Sequence, residues 1–418
     1  MNPVKTPGAT HRHGSKQAWL RRSGALLLHT LFATLLPHPW VVAGEWSGYL
    51  EGQARYFTQE PLIPVQTDQT LSFALKPEYY QRWNEGRQSL TFSPFVRWDS
   101  QDSERSHVDI RELMWIYVGD GWEMRAGIGK VFWGVTEALH LVDIINQTDL
   151  VENPDMEQKL GQPMLKVSME RDWGILDFYA LPYFRERTFP GERGRLRTHP
   201  RVDTNLTTYE SSREEHHLDV ALRWSHYIGD WDIGIAHFNG TSRDPTLLPA
   251  LTAAGEPVLA PHYLLIRQTS LDLQATKGDW LWKLETLYRS SSEDSYNAAT
   301  GGFEYTYVGI ADSAMDLGVL AEYLYDERGD RSTQPFENDL FVGLRLTAND
   351  VQSSELLTGI IRDLDSTALM FNLEASRRLG NDWKLSTQAR FWIDVPADDL
   401  LFDFSRDDYV ELSLARYF

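Results

Sequence analysis

The sequence predicts an all-β chain, a transmembrane antiparallel up-and-down β-barrel of about eighteen strands, with sixteen as the alternative count. Three observations predict it. Apolar and polar residues alternate with period two over repeated stretches. The connections between those stretches alternate between short and long. A tight polar turn followed by tryptophan recurs at one kind of junction: "GDGW" at 119–122, "ERDWG" at 170–174, "GDW" at 229–231 and 278–280, and "GNDW" at 380–383.

Composition removes several classes. The 418 residues contain no cysteine, which excludes disulfide frameworks, thiolate metal sites and cysteine nucleophiles together. The formal charge is −20 and no basic tract stands out, so no footprint for nucleic acid is present. Fifteen tryptophans are many for such a chain and call for a reason.

Residues 1–43 read as a secretory signal peptide. Lys16, Arg21 and Arg22 precede the apolar run "GALLLHTLFATLL", and Val41 and Ala43 in "VVAG" form a small-residue cleavage site. From Gly44 to Phe418 no apolar stretch is long enough for a membrane helix. What recurs is alternation. Trp46, Gly48, Leu50, Gly52 and Ala54 share one face while Glu45, Ser47, Glu51, Gln53 and Arg55 share the other. "QSLTFSPFVRW" and "DWKLSTQARFWI" repeat the pattern. Each reads as a strand with one apolar and one wet face.

Strands are expected at 45–57, 70–83, 88–99, 107–118, 122–131, 162–171, 174–185, 216–228, 231–238, 263–276, 280–289, 302–311, 316–325, 339–348, 354–363, 367–378, 383–393 and 408–418. Short links such as "NEGR", "GDG", "RDW", "IGD", "KGD" and "LGND" alternate with long ones at 58–69, 131–161, 186–215, 239–262, 290–301, 326–338 and 394–407. A soluble sandwich has no reason for such alternation, and a propeller needs a longer internal repeat. In a barrel, the polar turn reverses the chain in water and the next residue re-enters at headgroup depth, where an indole is favoured. Trp122, Trp173, Trp231, Trp280 and Trp383 are therefore expected to form a girdle at one rim.

The last stretch, "YVELSLARYF", puts Val410, Leu412, Leu414 and Phe418 on one face. It resembles the closing strand of Gram-negative outer-membrane barrels, which the barrel-assembly machinery reads, although Arg416 stands where an aromatic residue is usual. As a pattern, residues 44–418 resemble a porin-type barrel. The resemblance implies the outer membrane of a Gram-negative bacterium, contact with its lipids and lipopolysaccharide, a possible homotrimer, and passive diffusion of small hydrophilic or amphiphilic solutes. It implies no cofactor and no metal.

Inward polar residues then set selectivity. Arg97 and Arg111 lie on adjacent strands at similar distances from their shared loop, with Asp99 and Asp109 one step nearer it. Arg125 belongs to the same wet face. So many ions require water or partners, because burying each without them costs several kcal/mol. Inward aromatics expected from the alternation are Phe95, Trp115, Tyr117, Tyr179, Tyr183 and Trp392.

The segment 131–161 loses the alternation and mixes "LVDII" with Glu137, Asp143, Asp149 and Glu152. It is the third outer loop, and in general porins that loop folds into the lumen. The resemblance implies a constriction here, its acids set across the eyelet from Arg97, Arg111 and Arg125.

Catalysis is not expected. No Gly-x-Ser-x-Gly or His-Glu-x-x-His motif occurs, and His216 and His217, as neighbours on a strand, point to opposite faces. The other reading is a non-conducting barrel that scaffolds or exports a partner.

Overall fold

The computed structural model describes residues 44–418; the signal-peptide assignment lies outside the described residues. The first strands are β1 (Glu45–Phe57), β2 (Gln69–Trp83), β3 (Gln88–Asp99), β4 (His107–Gly119), β5 (Trp122–Gly129), β6 (Gln162–Arg171) and β7 (Gly174–Leu181). They are followed by β8 (Thr208–Tyr209), β9 (Asp219–Ile228), β10 (Trp231–Thr241), β11 (Thr246–Leu251), β12 (Pro257–Tyr263), β13 (Leu265–Lys277) and β14 (Trp280–Ser290). The chain ends with β15 (Ser295–Tyr307), β16 (Asp316–Asp326), β17 (Asn338–Thr347), β18 (Glu355–Asp363), β19 (Leu369–Leu379), β20 (Trp383–Ile393) and β21 (Tyr409–Tyr417).

Eighteen of these strands form one sheet, while β8, β11 and β12 make a separate three-stranded sheet in the outer loops. The large sheet is closed. β1 pairs antiparallel with β2 on one side and with β21 on the other, in register from Tyr49↔Tyr417 to Phe57↔Tyr409. Polar side chains lock the seam from inside: Arg55 lies 2.7 Å from Glu411, and Gln53 donates to the same carboxylate at 2.6 Å. The count is thus eighteen, not sixteen.

Alternation survives closure. Leu50, Phe73, Val96, Leu222, Ile235, Leu284, Val342 and Leu412 are exposed on the outer face. On the inner face Arg55, Arg97, Asp177, Asp219, Asp272, Glu285, Glu322 and Arg390 are buried. Trp122, Trp231, Trp280 and Trp383 each open a strand directly after a turn, and Trp173 sits within one. All five are exposed. The turns hold Gly121, Gly229, Gly278 and Gly380 at φ of 72°, 62°, 63° and 69°, the left-handed region that a tight hairpin demands. Val410, Leu412, Leu414 and Phe418 also face outward, and the Phe418 and Gly48 backbones bond each other reciprocally at 3.1 Å. Arg416 stands 5.7 Å over the Trp383 ring, so its long stem and cation occupy the girdle in place of an aromatic side chain.

A second girdle went unread in the sequence. Tyr56, Trp98, Tyr288, Tyr323 and Tyr325 are exposed at the opposite strand ends. On β14, Trp280 and Tyr288 mark the two rims; eight residues at the usual rise and tilt give about 20 Å of height, close to the apolar band of a membrane barrel.

Three expectations need correction. The strand placed at 302–311 is Ser295–Tyr307, so the connection before it is short and the turn after it, 308–315, is the longer. Its outward residues in the first half, Ser295, Asn297, Ala299 and Gly301, are small or polar and carry no apolar signal. The strand placed at 216–228 begins at Asp219, after a 3-10 turn over Glu214–His216. Trp115 and Tyr117 point outward, because a β-bulge shifts the β3–β4 register between Ser93 and Pro94. Pro94 has no N–H to give to the ladder, which is why the irregularity falls there. The bulge turns both Arg111 and Glu112 inward and reverses the phase of every later residue on β4.

Gly127 tests the close approach beside this bulge. A Cβ there would stand 2.0 Å from the Leu113 carbonyl oxygen, at a φ of +142°. Gly127→Ala is expected to cost about 1–3 kcal/mol, read as a lower urea midpoint in micelles. Gly52→Ala, whose Cβ would make ordinary contact with Phe73 at 3.4 Å, should leave the midpoint unchanged.

Candidate functional site

The segment 130–161 between β5 and β6 enters the barrel because its apolar residues find cover only there. Val142, Ile144 and Ile145 are buried with Met114, Met164, Tyr179, Leu181, Ala221, Ala236, Phe238 and Ile266, which line the wall from β4 to β13. Burying each such side chain contributes about 1.5–3 kcal/mol. Leu139 packs the other way, against Leu320, Leu324, Phe341 and Ile361 of β16–β18. The loop therefore spans the lumen.

Its backbone has no regular structure, so its N–H groups need acceptors from elsewhere. Asn146 closes the base, accepting from Val131 N and donating to the carbonyls of Gly129 and Leu160, each at 2.8 Å. Asp143 accepts from Trp133 N at 2.6 Å and Gly134 N at 3.1 Å. The wall supplies further acceptors. Glu285 accepts from Val135 N (2.6 Å), Thr136 N (2.9 Å), the Thr136 hydroxyl (2.7 Å) and Val142 N (3.1 Å). Glu322 accepts from Glu137 N and Ala138 N, both at 2.9 Å.

Ion pairs fix the loop around the circumference. Glu152 lies 2.9 Å from Arg97, 3.4 Å from His107 and 3.7 Å from Arg111. Asp149, fully buried, meets Arg111 at 2.5 Å and accepts from the Thr188 hydroxyl at 2.7 Å. Asp155 reaches Arg390 at 3.0 Å, and Asn153 donates to Gln388 at 3.1 Å. Glu137 contacts Arg345 at 2.5 Å and Lys283 at 3.6 Å. From the next loop but one, Arg243 donates to the Ile145 carbonyl at 3.0 Å and pairs with Asp219 at 2.8 Å.

The expected site residues thus separate into groups. Arg97, Arg111, Asp149 and Glu152 come together in one cluster. Asp99 turns away from the lumen centre: it pairs with Arg105 at 2.8 Å and accepts the N–H groups of Gln101 and Asp102, building the β3–β4 turn. Asp109 bridges Arg111 and Arg185 at 3.1 and 2.9 Å. Arg125 pairs along its own strand with Glu123 at 2.5 Å, so it is not opposed by the loop. Asp143 serves the loop's own backbone. The picture of loop acids facing wall cations across water is corrected to one of contact pairs, because the packed "LVDII" core draws the loop onto the wall. Phe95, Tyr179 and Trp392 face inward and are buried, whereas Tyr183 lies beyond β7 and is exposed.

Glu285 and Glu322, wall residues that the alternation alone did not single out, anchor the loop. A signal existed for Glu285. Its cross-strand neighbours are Asp272 and Thr300, and Asp272 is already held by Arg223 at 2.5 Å. A carboxylate whose cross-strand neighbours carry no cation takes donors from another element.

His107, Asp149 and Glu152 bring potential ligand atoms within 4.8 Å of one another. Arg97 and Arg111 already neutralise these two carboxylates, so the arrangement is that of an ion-pair network rather than a cation site.

Open space remains on both sides of the loop. One cavity of about 330 Å³ lies beside Tyr49, Lys76, Arg97 and Gln388, and another of about 430 Å³ beside Trp133, Lys166, Asp177 and Asp232. A third, of about 570 Å³, opens between the loop and β17–β20.

No protein-family profile matches the chain, and no curated protein sequence matches it. Solved structures do. A triple mutant of the Rh. blastica porin is similar over 90% of this chain and 100% of its own, with 9% identity and a TM-score of 0.44. A loop-deletion form of OmpT, an outer membrane protein of Vibrio cholerae, is similar over 90% of this chain and 99% of its own, with 9% identity and a TM-score of 0.45.

Two expected outcomes follow from the loop's anchorage. Glu285→Gln replaces one acceptor oxygen with a donor and should raise amide hydrogen exchange across 133–142 by an amount equivalent to about 1–3 kcal/mol, while exchange in β1 and β21 stays unchanged. The second concerns pH. Burial opposes a charge on His140, but Glu157 at 3.1 Å and Glu285 at 3.7 Å outweigh it and push its pKa up to about 10. A raised histidine pKa adds stability that is full below the unfolded value of 6.5 and is lost as pH rises through about 10. Exchange in 133–142 should therefore accelerate above that pH in the wild type, and less so in His140→Gln.

Proposed function

We propose that this protein is a channel in the outer membrane of a Gram-negative bacterium, passing small hydrophilic or amphiphilic solutes by diffusion rather than catalysing a reaction. The observation that carries the reading is the division of the closed sheet. Its outer face is apolar between two aromatic rims, as lipid requires. Its inner face is ionic, with cavities of about 330, 430 and 570 Å³ around the loop that crosses it. A barrel of this strand number is wide enough for water and solute. Membrane lipids and lipopolysaccharide are its expected surroundings, the barrel-assembly machinery its expected insertion partner, and a homotrimer a possible assembly.

A second reading is favoured by the loop itself. Its bonds to β3, β4, β14, β16, β17 and β20 are those of a plug, and a permanently plugged barrel is a scaffold or export partner. Planar-bilayer recording separates the two. Discrete conductance steps are expected, and silence at high protein load would leave only the scaffold. If current passes beside the Arg97–Glu152 cluster, Glu152→Gln removes one negative charge there and should move the reversal potential in a salt gradient toward anion preference. An unmoved potential would place the current path elsewhere in the lumen.

A further inference from the structure

The cavity of about 570 Å³ has a size typical of ligand sites. It lies between the infolded loop and β17–β20, beneath outer-loop segments 189–202, 333–336 and 400–404. Phe336, Phe341, Ile361, Met370, Trp392 and Leu401 give it an apolar side, whereas the cavity beside Tyr49, Lys76 and Arg97 is lined mostly by polar and charged groups.

The charged groups around it are nearly all satisfied. Glu137 is held by Arg345 and Lys283, Asp155 and Glu374 by Arg390, Glu157 by His140, and Arg187 by Asp244. The exception is Arg197. It is 8% exposed, and among the described residues no carboxylate reaches it within ion-pair distance. Its two hydrogen bonds go to backbone carbonyls, Nη1 to Thr198 O at 2.8 Å and Nη2 to Glu192 O at 3.3 Å. Its Nε and the neighbouring Thr198 hydroxyl are buried without a hydrogen-bond partner. Glu192, Asp403 and Asp407 act on it only from beyond ion-pair distance, and two carbonyls orient a guanidinium without neutralising it, so the buried charge remains costly. The missing partner is an anion. A carboxylate matches the guanidinium fork, and the paired acids Glu157 and Glu374 nearby disfavour anything of higher negative charge.

We propose that this cavity binds an amphiphilic organic monoanion, its carboxylate on Arg197 and Thr198 and its aryl or branched-alkyl body against Phe336, Phe341, Met370 and Trp392. This names the solute class of the channel and rests on that reading for the solute's route, though not for its binding. The apolar wall supplies affinity, and the one cation of this lining that meets no carboxylate among the described residues supplies the choice of charge.

Isothermal calorimetry on the purified protein in detergent micelles, with empty micelles as blank, tests it using 4-phenylbutyrate, 4-phenylbutyramide and acetate. The aryl carboxylate is expected to bind at least about tenfold more tightly than its amide or than acetate. Equal binding of acid and amide to the wild type overturns the proposal with no variant involved. R197Q should abolish the preference for the acid, and R197K should retain part of it because the charge remains without the fork. A preference unchanged in R197Q, with circular dichroism unaltered, also overturns it. Bilayer recording on the same preparations separates the two readings. Binding without conductance keeps the site and retires the channel, whereas conductance without binding does the reverse.

Discussion

A peptide group surrounded by hydrocarbon has no water to bond, so each N–H and C=O of a membrane strand must find its partner within the sheet. One missing pair leaves a cost of several kcal/mol. The β1–β21 seam is where this chain meets that demand, in register from Tyr49 to Phe57. Once the seam is closed, side chains have only two destinations. Leu50, Ala54, Leu412 and Leu414 go to lipid, while Gln53, Arg55 and Glu411 go inside. The girdles, the tight glycine turns and the ionic lumen are consequences of that single division.

Closure creates a second problem on the inside. Buried ions need partners, and neighbouring strands do not always provide them. Asp177 finds Lys166 on the adjacent strand, and Asp272 finds Arg223 across the intervening β10. Glu285 and Glu322 find none in the wall and take backbone N–H groups of the infolded loop instead. The loop, with no ladder of its own, lacks acceptors for just those groups. Each element leaves unsatisfied what the other requires, so the loop is held as a built part of the lumen and not as a loose flap.

The same accounting explains the uneven interior. On the β3–β4 side, Arg97 and Arg111 face Glu152 and Asp149 in contact pairs, and the space left over is polar. On the β17–β20 side, Leu139 carries an apolar surface toward Phe341 and Ile361. The neighbouring wall is apolar there as well, and the cavity between the loop and β17–β20 inherits that character. The lumen thus presents two different chemistries on opposite sides of one loop.

Strand identity was legible along most of the chain because period two is a local property, written wherever one face meets lipid and the other water. It failed over Ser295–Gly301, where the outward residues are too small or too polar to mark a face. It also failed after Arg111, where a bulge changed the phase without changing the composition. The wet wall could be read residue by residue, and so could the apolar oddity of "LVDII". Which cation each acid meets, why Glu285 clamps Thr136, and why Arg197 is left without a carboxylate could not. Those contacts join residues far apart in the chain, and only the closed circumference and the packed loop bring them within bonding distance. Sequence by itself determined the faces of the strands, since facing depends on near neighbours. Tertiary structure alone decided the partners of the buried charges, since pairing depends on where the barrel brings distant strands and the loop together.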